Sequence, residues 1–235
     1  QRFLTLYLKK LKVLMPNILA IETSSDVCSL ALSSGKESVT FHELIPQQHS
    51  EKLLGIIQEL MNKLNLSYQD LDVVATGCGP GSFTGTRLAC SVTQGLSYSV
   101  GIPAISVSSM QIIAQGINRE FKFSEVKVLV NAHMEQLYFG DFTFNLDQLV
   151  SAKERVIKIK EFNNLNFAKF SVFAGNGCKL VKGCLSDFRT TIYERYPNAK
   201  DLLLEAEKKL NEGETIDPKD LMPVYLSGED QWVKK

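Results

Sequence analysis

The sequence has no surplus of charge. Lys plus Arg and Asp plus Glu both number 26 among 235 residues, so the formal net charge is zero. A protein that grips nucleic acid by itself usually carries a basic surplus or stripe. Any RNA contact would therefore draw most of its phosphate-binding groups from another chain. Histidine is scarce. His42, His49 and His133 are the three present, no two stand at i and i+4, and there is no His-Glu-x-x-His, which removes the helical zinc signature. The five cysteines, Cys28, Cys78, Cys90, Cys178 and Cys184, are odd in number and never spaced as Cys-x-x-Cys. That pattern speaks for buried thiols in a reducing compartment rather than a disulfide framework or a zinc site, and the expected location is cytoplasmic. No apolar run is long enough to span a bilayer.

What is present suits a packed core. Hydrophobic residues make up 44% and charged residues 22%, ordinary globular values, and the length fits one large domain or two small lobes. Residues 1–14 mix apolar positions with Lys9, Lys10 and Lys12 behind them, the reverse of a signal peptide. Met15 is followed at once by a strand-like run, so residues 1–14 read as an upstream extension, with a short amphipathic docking helix as the alternative.

From Asn17 the chain reads as a strand meander: 17–22, 27–32 and a third strand around Val39 and Phe41, joined by tight turns. Ser50 is the expected cap of a helix with Glu51 in its first turn. Leu53, Leu54, Ile56, Ile57, Leu60, Met61 and Leu64 follow at helical spacing. The apolar arc is wide, as for a helix covered on more than one side. A buried strand, 72–78, leads into Gly79-Pro80-Gly81-Ser82-Phe83-Thr84-Gly85 and a helix over about 86–99. That helix has Leu88, Val92 and Leu96 on one face, and small residues, Ala89 among them, that would let another helix come close. A strand at 102–107 and a helix at 108–115 complete the first half. After Gly116 the pattern restarts, with strands expected at 126–132, 137–144, 156–159 and 171–174, a helix at 199–210 closed by Gly213, and an extended piece at 223–226. Two lobes, 15–118 and 124–235, are expected, with the last segment free to return to the first.

The turn GPGSFTG is the strongest local signal. Backbone N–H groups between a strand and a helix can receive an anion. Gly79, Gly81 and Gly85 would permit the turn and a close ligand approach, and Ser82 and Thr84 add hydroxyls. No Gly-Lys-Ser/Thr follows, so it is not a Walker loop. The same turn also serves as a tight connection that binds nothing. Glu22 with Thr23 and Ser24 could face a phosphate, or simply turn the chain at a strand end. His133 and Glu135 sit at a strand end as a catalytic pair might be placed, although two such residues in a loop are more commonly solvated. Cys78 and Ser82 have no histidine near in sequence to make a nucleophile.

Taken together, ILAIETSSDVCSLAL, HSEKLLGIIQEL, GCGPGSFTGTRLACSVTQGLSYSVGIPAISVSSM, NAHMEQLYFGDF and PVYLSGEDQWVKK resemble the TsaB (YeaZ) family of tRNA threonylcarbamoyladenosine biosynthesis proteins. The likeness runs from about Met15 to Lys235 and is dense to residue 116. It implies an α/β fold of the ASKHA type (actin, sugar kinase, Hsp70), two-lobed, each lobe a mixed sheet with flanking helices. It implies partners: the metal-holding paralogue TsaD, which performs the carbamoyl transfer, the ATPase TsaE, and tRNA reached through the complex, with a homodimer when the chain is alone. No cofactor is expected to bind tightly, ATP or ADP entering at most at the interface with partners. In the catalytic paralogue a His-x-x-x-His pair holds the metal. Ser109 and Ile113 stand at those places here; a serine hydroxyl is a weak ligand and an isoleucine has no donor atom. The resemblance therefore implies no metal and no catalytic residue, but a subunit that binds and activates TsaD.

The same resemblance assigns the partner interface to residues 50–64 and 86–99, with Leu53, Ile57, Leu60, Leu88, Ala89, Val92 and Leu96 as its side chains; burial of both faces inside the lobe is the alternative. A glycoprotease-type metallopeptidase or a stand-alone ATPase are the other readings. The first lacks its histidines. The second needs acidic partners on two strands, for which Glu22 is one candidate without a second. A sugar-kinase-like binder would need a catalytic Asp in the second lobe, where Asp141 is a weak candidate.

Overall fold

The computed structural model describes residues 16–162, 164–185 and 190–226; residues 1–14 and the end of the last resembling segment, from 227, lie outside them. Strands β1 (Ile18–Glu22), β2 (Val27–Ser34) and β3 (Glu37–Leu44) form an antiparallel meander. Helix α1 (His49–Lys63), strand β4 (Val73–Gly77), helix α2 (Phe83–Val100) and strand β5 (Ala104–Val107) follow, the last two strands adding in parallel beside β1. The sheet order is β3-β2-β1-β4-β5. β1 and β4 are buried throughout, which explains their continuous apolar runs: a central parallel pair covered on both faces has no polar side to alternate.

Helix α3 (Ser109–Phe121) then leads to β6 (Glu125–His133), β7 (Gln136–Asn145), β8 (Gln148–Lys158), β9 (Val172–Ala174) and β10 (Thr191–Tyr193). Their order, β10-β9-β6-β7-β8, repeats the first sheet strand for strand: three antiparallel strands, then two in parallel on the other side of the first. This duplicated topology is the two-lobed ASKHA architecture. Helix α4 (Ala199–Glu212) returns to the first sheet, where Ala199, Leu202, Leu203 and Ala206 pack with Ile18, Ala20, Val73 and Ile105. Ile216 bridges to Ala104, and Val224 N–H donates to the Cys78 carbonyl at 2.8 Å. The second sheet thus spans 125–193 of the expected 124–235 lobe, and 199–226 packs with the first.

The helices sort by side. α1 and α2 share one apolar cluster over β1 and β2, built around Leu19, Ile21, Leu30, Leu53 and Ile57. α3 and α4 cover the opposite face. α3 is the joint between the sheets: Ile112 belongs to the first sheet's cluster, whereas Met110, Ile113 and Ile117 pack against β6 and β7. Each such burial contributes about 1.5–3 kcal/mol, so sequence spacing of 110, 113 and 117 fixes α3 onto the second sheet. Ser108 caps it, its hydroxyl accepting from the Met110 and Gln111 N–H groups. Among the described residues no helix is long and apolar enough to cross a membrane.

The expected cap at Ser50 is wrong. α1 begins at His49, two residues earlier than a cap at Ser50 would place it, with Gln48 at the cap position and no side-chain cap. The apolar spacing located the helix body, but the preceding backbone decided where it starts.

Candidate functional site

At the end of β1 the chain turns into the glycine loop's neighbour. Glu22 is fully buried. Ser24 N–H donates to its Oε1 at 2.6 Å and Ser109 Oγ donates to its Oε2 at 2.8 Å. Burial pushes its carboxyl above the ordinary carboxylate range, against the lowering pull of the Ser24 and Ser109 bonds. The same Ser109 Oγ accepts from Gly79 N–H at 3.1 Å. Ser109 therefore ties β1, the glycine loop and α3 together. Ile113 lies in the second sheet's core.

The loop itself is sewn to the β1–β2 turn. Ser82 N–H donates to the Ser24 carbonyl at 2.6 Å, and Thr23 Oγ1 donates to the Gly85 carbonyl at 2.7 Å. A Cβ on Gly81 would stand 2.4 Å from the Ser24 carbonyl oxygen, and one on Gly85 would stand 1.9 Å from that of Thr23. The close approach that these glycines permit is made by the chain's own backbone. Ser82 caps α2, accepting from Gly85 N–H at 3.3 Å. Of the expected loop residues, Glu22, Thr23, Gly79, Ser82 and Gly85 are thus brought into one hydrogen-bonded knot, with Gly81 packed close to Ser24, while Thr84 stands exposed in the first turn of α2.

Two depressions border this knot. One lies between the lobes, lined by Ser24, Pro80, Ser109, Asn176, Arg195 and Tyr196, and has room for about 10 Å³, the size of a water. The other, about 320 Å³, lies between the heads of α1 and α2 and is lined by Thr23, Asp26, His49, Ser50, Thr84 and Leu88 among others.

The outer surface of α1 and α2 differs from the expected interface. Leu53, Ile57, Leu60 and Ala89 are buried in the lobe's own core, so for these four the alternative of burial holds. On α2 the small residues Ala89, Cys90, Thr93 and Ser97 face inward; their size lets the helix sit low on the sheet. Leu88, Val92 and Leu96 are half-buried at its flank. Leu54, part of the wide apolar arc of α1, is 57% exposed, and Tyr98, which the sequence pattern did not single out, is 76% exposed. Gly55 and Gly95 lie in the exposed parts of these helices, and a Cβ on either would meet no atom within 4 Å.

Other candidates separate. Burial pushes the thiols of Cys28, Cys78, Cys90 and Cys178 up to about 12, so none is a thiolate nucleophile at neutral pH. Asp141 pairs with Lys127 at 3.1 Å across β6 and β7. His133, Met134 and Glu135 form an exposed turn with left-handed backbone at all three, so the pair that sequence set beside a strand end is a hairpin tip. An aromatic clamp went unnoticed in the sequence: the Arg87 guanidinium stacks 3.5 Å over the Phe83 ring and its Nε donates to Tyr225 Oη at 2.6 Å. Phe83 and Arg87 are neighbours on α2, but Tyr225 is 138 residues from Arg87, so no local signal announces the closure of the clamp.

Comparison with known proteins gives a consistent result. The family model described as TsaD, tRNA N6-adenosine threonylcarbamoyltransferase, matches residues 41–234. The chain is 34% identical over 192 residues to the tRNA threonylcarbamoyladenosine biosynthesis protein TsaB of Buchnera aphidicola subsp. Schizaphis graminum, covering 79% of this chain and 90% of the relative. It is 28% identical over 224 residues to TsaB of Escherichia coli strain K12, covering 92% and 97%. The solved structure of YeaZ from Pseudomonas aeruginosa superposes with a TM-score of 0.79 at 29% identity, over 90% of this chain and all of that one.

Proposed function

Since the chain belongs to the TsaB family of tRNA threonylcarbamoyladenosine biosynthesis proteins, we propose that it is a non-catalytic subunit that binds and activates the threonylcarbamoyltransferase TsaD. The observation that carries this reading is the outer face of α1 and α2. A glycine inside a helix costs about 0.5–1 kcal/mol relative to alanine. Gly55 and Gly95 have no neighbour within 4 Å that would require it. Beside them stand exposed Leu54 and Tyr98 and half-buried Leu88, Val92 and Leu96. A partner helix lying close across the two glycines gives both the glycines and the apolar side chains a purpose. In the partner's absence a second copy can pair through the same face about a two-fold axis.

The non-catalytic half of the reading rests on Ser109 and Ile113. Where the catalytic paralogue would place two metal ligands, the first residue here is committed to Glu22 and Gly79 and the second to the core. TsaE and tRNA enter the proposal through the complex rather than through groups of this chain.

Val92→Asp tests the face. A charge buried at an interface without a partner is strongly unfavourable, so affinity for TsaD is expected to fall at least a hundredfold in calorimetry. Since Val92 is only half-buried, the folded monomer should persist by circular dichroism. Wild-type affinity in a folded variant would remove α2 from the interface.

A further inference from the structure

Helix α2 has 18 residues, and Arg87 is the only charged one among them. Arg87 is exposed, and so are Ser91, Gly95 and Tyr98, which follow it at i+4, i+4 and i+3 steps. Such positions lie along one face of a helix. Arg87 therefore heads the exposed stripe that carries Gly95 and Tyr98, and it is the single formal charge on that stripe.

An exposed arginine is ordinarily solvated and free to change rotamer, but this one is held in place. Its guanidinium carbon lies 3.5 Å from the centre of the Phe83 ring and 5.5 Å from that of Tyr225. The two rings stand 6.0 Å apart, and Arg87 Nε donates to Tyr225 Oη at 2.6 Å. Tyr225 is anchored in turn, since the N–H of its neighbour Val224 donates to the Cys78 carbonyl at 2.8 Å. Among the described residues no carboxylate pairs with Arg87, and its terminal Nη groups are given no acceptor. Ring stacking and the Nε bond are enough to tie Tyr225 to α2. What is left over is a planar fork of donors, the group that recognises an oxyanion in bidentate fashion. Because the side chain is already ordered, binding there costs less rotamer entropy.

We infer that Arg87 receives the carboxylate of an Asp or Glu side chain presented by the transferase partner, an inference that rests on the partner-subunit reading above. The surroundings favour a protein carboxylate over a nucleic-acid phosphate. Phe83, Met222, Val224 and Tyr225 are exposed apolar or aromatic side chains, and α2 offers no second cation. A polynucleotide presents a run of phosphates that one arginine cannot neutralise. A single acidic side chain set among apolar ones matches one guanidinium set among aromatic rings, the composition on which protein interfaces concentrate their binding energy.

Calorimetry of the full chain with TsaD tests it. Arg87→Ala should bind roughly ten- to a hundredfold more weakly, the loss of a charge-assisted pair. Arg87→Lys should recover little, because lysine keeps the charge but not the fork. Both positions are on the surface, so circular dichroism should show the folded chain in each variant. The acidic residues of TsaD are then changed to alanine one at a time. One such change should weaken binding to the wild-type chain yet add little to the loss in Arg87→Ala, the non-additivity of a direct pair. Glu229→Gln combined with Asp230→Asn removes the acidic residues that follow Tyr225 in this chain and should leave affinity unchanged. Wild-type affinity in Arg87→Ala, additive losses for every acidic residue of TsaD, or a comparable fall in the Glu229→Gln, Asp230→Asn variant would overturn the assignment. So would a loss of tRNA binding by the assembled complex in Arg87→Ala with TsaD affinity intact, which would give the fork to a phosphate. Failure of the wild-type chain to bind TsaD would instead sink the partner reading itself.

Discussion

Ser109 Oγ donates to Glu22 Oε2 at 2.8 Å while it accepts from Gly79 N–H at 3.1 Å, so one hydroxyl joins a strand end, the glycine loop and the inter-sheet helix. Ser109→Ala removes both bonds at once and leaves a buried N–H and a buried carboxyl short of partners. A loss of about 1–3 kcal/mol per orphaned group is expected, read as a lower denaturant midpoint with an unchanged slope.

Glu22 also sets a pH signature. Burial raises its carboxyl above the ordinary value of 4.5. A group with a raised folded value contributes stability that is fully present below its unfolded value and is lost as pH rises through the folded one. Glu22→Gln cannot titrate. Its stability relative to the wild type is therefore expected to improve as pH climbs from about 4 towards neutrality, and denaturation at a series of pH values checks the slope. A constant offset between the two proteins would show that Glu22 titrates alike in the folded and unfolded chain.

The glycines divide into two classes with opposite outcomes. Gly85→Ala drives a Cβ to 1.9 Å from a backbone oxygen that cannot swing aside, and a loss of more than about 2 kcal/mol is expected from the forced backbone shift. Gly95→Ala enters open space on an exposed helix. It should stabilise the isolated chain by about 0.5–1 kcal/mol and weaken TsaD binding. Thermal unfolding of the monomer and calorimetry of the complex read the two effects separately.

Nucleotide is expected to leave the isolated chain unchanged. The inter-lobe cleft has room for about 10 Å³, far below the few hundred Å³ of a small-molecule site. ATP or ADP titrated by calorimetry should give no saturable heat until TsaD is present. Micromolar binding to the chain alone would contradict this.

Much of the fold was legible because its strongest patterns are local. The apolar runs at β1 and β4 and the spacing of Leu53, Ile57 and Leu60 announce their elements without help from the rest of the chain. β8 was recognised only at its end, since Gln148–Lys158 is an edge strand with most residues exposed or half-buried, and an edge has no buried face to impose alternation. β10 is three residues long, too short for any period. The site was legible as a set of residues but not as a set of directions. Periodicity put Leu53 and Ala89 on helices, yet it could not say whether the sheet beneath or a partner above would cover them. The Arg87–Tyr225 clamp and the Ser109–Glu22 bond depend on pairings 138 and 87 residues apart, which tertiary structure alone creates.

The most direct measurement of the central claim is threonylcarbamoyladenosine synthesis on tRNA in a reconstituted system, with this chain present, omitted, or supplied without TsaD. The account predicts product when both are present, a large loss when this chain is omitted, and none from this chain without TsaD. Synthesis that proceeds undiminished in its absence, or that this chain performs without TsaD, would contradict it.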